Sequence, residues 1–318
     1  MNKKVSFRTV VHTKKSEHTI SHTTSTMLLG SCFAQHIATK LLQHKLPTYA
    51  PFGVLYNPSS IACSLNSILE KKVFSQQEVF FQHEMWKSYA FHSTYNDASA
   101  ENLVERMNTE ISTGYAFLQN CNTLIITLGT AYVYTLKETG EVVANCHKSD
   151  AALFTRKRLD MAEIVSEYTE LINRLLLFNP NLSILCTVSP IRHWKDGAHE
   201  NQLSKSILLL AIDSLQKQYT QVHYFPSYEL VLDDLRDYRF YERDMLHPNS
   251  TAIDYVWKAF GESYFSQETK EINREVADLV KSESHRPINP DSTRYLQFIE
   301  QHAKKRSLLR AKYPYLNI

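Results

Sequence analysis

The sequence predicts an α/β protein in three layers, a mainly parallel sheet with helices on both faces. Three observations carry this. Residues 26–29 (TMLL), 123–129 (TLIITLG) and 182–190 (LSILCTVSP) are apolar runs rich in Ile, Val, Leu and Thr and too short for helices. Uninterrupted runs of that kind mark strands buried on both faces. Between them lie stretches of helical period, and strands alternating with helices imply crossover units and a parallel sheet. Finally, a chain of 318 residues with 43% hydrophobic content is long enough to bury a substantial core.

Along the chain, the first strand leads into a helix on which Phe33, Ile37, Leu41 and Leu42 share one face. Residues 73–95 (VFSQQEVFFQHEMWKSYAFHSTY) form an aromatic insertion that reads as extended strands. Residues 131–148 (AYVYTLKETGEVVANCHK) read as a hairpin turning at 138–141, which would return Asn145, Cys146 and His147 to the edge where Gly129 leaves the sheet. Met161, Ile164, Tyr168, Leu171 and Leu175 mark a second helix and residues 201–218 a third. Residues 222–230 (VHYFPSYEL) read as a fourth strand, which Pro226 must end or confine to an edge. Pro248 keeps His247 out of helical geometry, so a helix is expected from Asn249 or Ser250. After Phe265 the chain is charged and reads as helical, with a break at 285–292 (HRPINPDS) and a basic end at 303–318. The reading therefore gives one domain over 1–264, with insertions at 73–95 and 131–148, and a helical extension over 265–318 packed on it or trailing from it.

Lys and Arg total 35 against 33 Asp and Glu, a formal charge of +2, which gives no broad electrostatic footprint for nucleic acid or acidic lipid. The amino-terminal MNKKVSFRTVVHTKKSEHTI is basic, without the apolar core and small-residue cleavage site of a secretory signal. No run approaches about 18 uncharged apolar residues. The expectation is a soluble cytoplasmic protein with neither nucleic-acid nor membrane partner. Cys32, Cys63, Cys121, Cys146 and Cys186 are odd in number, scattered and never spaced as C-x-x-C, so neither a disulfide framework nor a closed zinc site is expected. Cys121 and Cys186 read as buried, inert thiols. No metal and no cofactor is expected.

Parallel sheets hold ligands at the carboxyl ends of their strands. That narrows the candidates to Gly30-Ser31-Cys32, Gly129-Thr130 and residues 189–197. Ser31 reads either as a helix cap, its oxygen accepting a free backbone N–H, or as a nucleophile. Cys32 is the rival, since a helix start beside an imidazole is a setting that activates thiols. Asp244 and His247 stand three apart, close enough for the carboxylate to accept the Nδ1–H, fix the tautomer and leave Nε2 free as a base. With a serine in a strand-to-helix turn they make a Ser, Asp, His triad in chain order, and free N–H groups at the helix start can hold an oxyanion. Arg192 and His193 leave a strand at the same end and are candidates for an anionic or sugar group. The aromatic insertion is a candidate wall for an apolar or carbohydrate substrate.

Six segments, LLGSCFA (28–34), PFGVLYNP (51–58), ITLGTAYVY (126–134), VANCHK (143–148), SPIRHWKDG (189–197) and YFPSYELVLDDLRDYRFYERDMLHP (224–248), together resemble the GSCFA family. That family is grouped with the SGNH hydrolases, serine esterases and acyl-transferring enzymes on a flavodoxin-like sheet. The resemblance runs over most of 28–260. It implies Ser31 as nucleophile, His247 as base, Asp244 as orienting carboxylate and Gly53 as the oxyanion-hole glycine. The superfamily's Gly-x-Asn stands here as Gly129-Thr130-Ala131, with alanine where the amide belongs. Asn145, the Thr130 hydroxyl or a backbone N–H is left to supply that donor, with His147 a further candidate beside it. The usual Gly-Asp-Ser has become Gly-Ser-Cys. The expected activity is a metal-independent serine ester hydrolase or O-acyltransferase acting on O-acetyl or other O-acyl groups of a carbohydrate, by analogy with relatives. Its expected partner is a small-molecule or glycan ester. The alternatives are a non-catalytic binding protein that keeps the pocket, or a thiol enzyme using Cys32.

Overall fold

In chain order the computed structural model, which describes residues 8–283, 292–316 and 318, contains β1 (Thr26–Gly30), α1 (Cys32–Gln43), β2 (Thr48–Tyr49), α2 (Pro58–Leu69), β3 (Phe80–Gln82), β4 (Met85–Lys87) and α3 (Ala100–Gln119). Next come β5 (Thr123–Leu128), β6 (Tyr132–Leu136), β7 (Phe154–Arg158), α4 (Met161–Phe178), β8 (Ser183–Val188) and α5 (Ala198–Gln218). The chain ends with β9 (Val222–Tyr224), a single turn α6 (Ser227–Glu229), α7 (Ser250–Tyr264), α8 (Gln267–Glu283) and α9 (Thr293–Lys312).

The predicted apolar runs form the centre of one sheet, ordered β2-β1-β5-β8-β9 with every pairing parallel. Side chains alternate across it. Leu28 pairs with Ile125 and Ile125 with Leu185, and these face α1 and α7 through Phe33, Ile37, Leu41, Ile253, Val256 and Phe260. Leu29, Ile126 and Cys186 lie in the other layer, against α2, α3, α4 and α5. Phe33 and Leu41 are fully buried, each such side chain contributing about 1.5–3 kcal/mol by leaving water. The three layers are thus two apolar cores on either face of a sheet whose strand ends all point one way.

Several expectations are corrected. The fourth strand stops at Tyr224, because Pro226 cannot continue the ladder, and the chain turns into α6 and a π-helical turn. β6 pairs antiparallel with β7, and only an isolated bridge joins Thr135 to Val142. The turn at 138–141 exists, with Gly140 at φ 73° donating its N–H to Leu136, but residues 142–150 form a loop. The aromatic insertion contains only the short β3–β4 ribbon between single 3-10 turns. β2, α2 and α3 are additions to the elements read from the sequence. The break expected at 285–292 lies, apart from Ser292, outside the described residues. Beyond the sheet, Ile272, Val276 and Leu316 form a small core of their own around α8. Among the described residues no helix is long and apolar enough to cross a membrane.

Candidate active site

β1 ends at Gly30, whose φ of 137° is one that L side chains rarely adopt. A Cβ there would lie 2.2 Å from the Thr127 carbonyl oxygen, so glycine alone lets β1 and β5 run this close. The Ser31 N–H donates to that same carbonyl at 3.1 Å, and α1 starts at Cys32. Ser31 occupies the cap position, yet its side chain caps nothing. The residue is buried and its Oγ has no hydrogen-bond partner among the described residues. Burying a hydroxyl that way costs about 1–3 kcal/mol, which a capping serine would avoid. The oxygen is held unengaged at a cavity of about 460 Å³.

His247 reaches the same cavity from the loop before α7. That loop closes on itself: Tyr241 bridges Pro248, the Glu242 N–H donates to the His247 carbonyl at 2.7 Å, and Met245 takes the left-handed φ of 59° at the bend. Asp244 Oδ1 accepts the backbone N–H groups of His247 and Leu246, both at 2.9 Å, and Oδ2 lies 2.5 Å from His247 Nδ1. These donors, the two backbone N–H groups foremost, draw the Asp244 carboxyl down to about 2. With Nδ1–H given to the carboxylate, Nε2 is the nitrogen left for chemistry. Downstream, Asn249 starts α7 by accepting the Ala252 N–H at 3.1 Å. Ser31 and His247 therefore line one cavity, with no hydrogen bond between Ser31 Oγ and the ring.

The remaining predicted residues divide. Cys32, Thr130, Asn145, Arg192 and His193 line the cavity. Cys32 Sγ lies 3.8 Å from the Tyr56 hydroxyl. The N–H groups of Gly129 and Thr130 donate to the Tyr56 carbonyl at 2.8 and 2.9 Å, and a Cβ on Gly129 would sit 2.8 Å from that oxygen. Like the N–H of Ser31, they are committed to backbone partners and unavailable to an oxyanion, contrary to expectation. Gly53 also departs from its expected role: it makes a left-handed turn, φ 74°, packed against His92, and does not line the cavity. Nor does His147. It is buried, with Nε2 2.8 Å from the Ser88 carbonyl and 3.1 Å from that of Phe91, and burial lowers its pKa. It braces the insertion. Asn145 Oδ1 accepts the His147 N–H at 2.8 Å, which leaves its Nδ2 as the free edge. His193 is pushed down to about 4, chiefly by burial and further by Lys205, Arg156 and His247, and so stands neutral near pH 7.

Sequence reasoning missed several residues here. Lys205 is wholly buried, its Nζ donating to the carbonyls of Gly129 at 2.6 Å and Ser189 at 2.7 Å, which ties the ends of β5 and β8 together beneath the cavity. Burial drives its amine down to about 7. Its signal was present: Asn201, Ser204, Lys205, Leu208, Ile212 and Leu215 follow helical spacing on the buried face of α5. Asn57 lines the cavity too, its Oδ1 capping α2 at the Ser60 N–H, 2.8 Å away, which leaves its amide NH₂ as a donor. The Asn57-Pro58 pair is a helix-start signal. Tyr56, Tyr132, Tyr134, Arg156 and Lys195 complete the walls named here. Among the described residues, no group of three His, Cys, Asp or Glu side chains is gathered to hold a metal ion.

A parallel sheet between two helical layers, with its cavity at the carboxyl ends of the strands, defines the class: a three-layer α/β protein whose site is built from strand-end loops. The family model described as the GSCFA family matches residues 25–260, and the chain belongs to that family. A second model, GSCFA domain protein, C-terminal domain, matches residues 276–318. No protein of curated function matches the sequence. Among solved structures the chain is similar to a carbohydrate esterase family 3 protein from Talaromyces cellulolyticus, at 12% identity over 80% of this chain and 99% of that one, TM-score 0.37. It is also similar to a family 3 carbohydrate esterase from Clostridium thermocellum, at 10% identity over 80% and 98%, TM-score 0.36. A third is the acetyl xylan esterase Est2A from Butyrivibrio proteoclasticus, at 13% identity over 76% and 65%, TM-score 0.38. Likeness at this level says nothing of activity.

Proposed function

We propose that the protein is a serine-dependent ester hydrolase or O-acyltransferase acting on O-acyl groups, O-acetyl foremost, of a carbohydrate. One observation carries the reading: a buried, unpartnered Ser31 Oγ lines the same cavity as His247, whose Nδ1 is held by Asp244. Ser31 Oγ attacks the ester carbonyl as its proton passes to His247 Nε2, and Asp244 stabilises the imidazolium. The hydrogen bond between Ser31 and Nε2 closes when substrate binds, as catalytic hydrogen bonds commonly do.

Of the donors left for the oxyanion, the helix-start N–H and Asn145 are among those expected from the sequence, and Asn57 is not. First-turn N–H groups of a helix have no intrahelical acceptor, so the Cys32 N–H at the start of α1 is one donor. The amide groups of Asn57 and Asn145, both lining the cavity, are the others. Collapse of the tetrahedral adduct releases the alcohol with the proton from His247, and water or a second hydroxyl then takes the acyl group from Ser31. The rings of Tyr56, Tyr132 and Tyr134 offer the flat apolar surfaces a sugar needs.

The test is hydrolysis of p-nitrophenyl acetate by the wild type, Ser31→Ala and Cys32→Ala, with near-UV circular dichroism to check each fold. Loss in Ser31→Ala alone supports the reading. Loss in Cys32→Ala alone favours the thiol enzyme, which the position of Cys32 Sγ on the same cavity keeps in view. Absence of activity in all three favours the binding protein.

A further inference from the structure

The walls of the cavity carry an imbalance of charge. Three cations line it, Arg156, Arg192 and Lys195, against one carboxylate, Asp196. Arg156 is accounted for: it pairs with Asp196 and stacks on the Tyr132 ring, 3.7 Å from its centroid. Arg192 and Lys195 have no carboxylate within ion-pair distance among the described residues. The Asp244 carboxylate is engaged behind the His247 ring and its own loop.

The loop that carries both cations is fixed. Its entry is tied by Lys205 to the Ser189 carbonyl, its middle by the His193 N–H donating to Asn201 Oδ1 at 2.9 Å, and its exit by the Arg156–Asp196 pair. Long cationic side chains on a loop fastened at three points, left without counter-charges in a concave site, attract an anion and need little reorganisation to receive it. His193, neutral between them, adds no repulsion or attraction of its own.

We propose that the substrate is an anionic carbohydrate ester, with a carboxylate on the sugar portion received by Arg192 and Lys195. This rests on the esterase reading and narrows it, because a neutral acetylated sugar leaves both cations unused. The experiment uses Ser31→Ala protein, so that the ester survives, and calorimetric titration with two probes acetylated at the same hydroxyl: methyl galacturonoside and methyl galactoside. They differ only in a carboxylate against a hydroxymethyl group. A hydrogen bond to a charged group corresponds to roughly tenfold or more in affinity, so the uronate should bind at least about tenfold tighter in low salt. That preference should shrink as salt rises and vanish when Arg192→Gln and Lys195→Gln are added together. Equal binding of the two probes, binding of neither, or a preference unchanged in the double substitution overturns the proposal. Failure of the esterase reading is seen separately, as wild-type inactivity towards p-nitrophenyl acetate, a neutral ester.

Discussion

Replacing Lys205 by Met gives the most quantitative check on the cavity floor. The side chain is wholly buried with no carboxylate beside it, and its Nζ makes two hydrogen bonds, to Gly129 and Ser189. A neutral amine has two N–H groups, enough for both carbonyls, so losing the third proton sacrifices neither bond while removing a desolvated charge. Burial accordingly lowers the amine from its usual 10.5 to about 7. Between those values the unfolded chain holds a proton that the folded one lacks, and stability therefore rises with pH across that window. At about 1.36 kcal/mol for each pH step, the gap of 3.5 amounts to about 5 kcal/mol in full, of which about 2 kcal/mol develops between pH 7 and 9. Urea denaturation of the wild type and Lys205→Met at pH 7, 8 and 9 reads this directly, the difference between the two cancelling all other titrations. The wild type should gain on the variant by about 2 kcal/mol over that range. A constant difference would show that the amine titrates near its usual value and that the argument from burial fails.

The other predictions concern the machinery. Ser31→Ala should lower kcat for p-nitrophenyl acetate by at least about 10³-fold. Because it removes a buried hydroxyl without a partner, its unfolding free energy in urea should stay level or rise, by up to about 1 kcal/mol; a large loss of stability would mean that the hydroxyl is bonded after all. Asp244→Asn keeps an acceptor for the two loop N–H groups but loses the charge they favour and no longer holds the Nδ1–H tautomer, so a fall in kcat of about 10³–10⁴-fold is expected with a thermal midpoint that is level or lower. Gly30→Ala places a methyl group 2.2 Å from the Thr127 oxygen at a backbone angle hostile to side chains, and denaturation should register a loss of at least about 3 kcal/mol.

The sheet centre was legible because parallel strands buried on both faces have no solvent side to interrupt them, so β1, β5 and β8 read as plain apolar runs. β2 pairs with β1 through only two residues and leaves no pattern. β7 reads FTRKR and three of its five residues are exposed, so nothing in composition proposed it as the partner of β6. In the site, the Asp244–His247 geometry is local and follows from three-residue spacing, whereas His147 was misjudged because a polar loop residue can satisfy itself on neighbouring carbonyls as readily as face a cavity. Lys205 stayed hidden for the opposite reason. A lysine in a helix is ordinarily a solvated residue, and only its place on the apolar face of α5 marks it as buried. The backbone N–H groups of Ser31, Gly129 and Thr130 failed as oxyanion donors because they were already taken by Thr127 and Tyr56, a contact between segments far apart in sequence.

Helix α1, which starts beside Ser31, packs directly on α7, which follows His247, and an ion pair between Lys40 and Asp254 spans that contact. The two reactive atoms of the proposed machinery thus come from opposite ends of the matched family segment and face one cavity across a seam that closes only once α7 is in place. A ribosome-bound chain with the serine but without α7 carries an inert oxygen. In the proposed machinery, reactivity therefore arrives only with the packed tertiary structure.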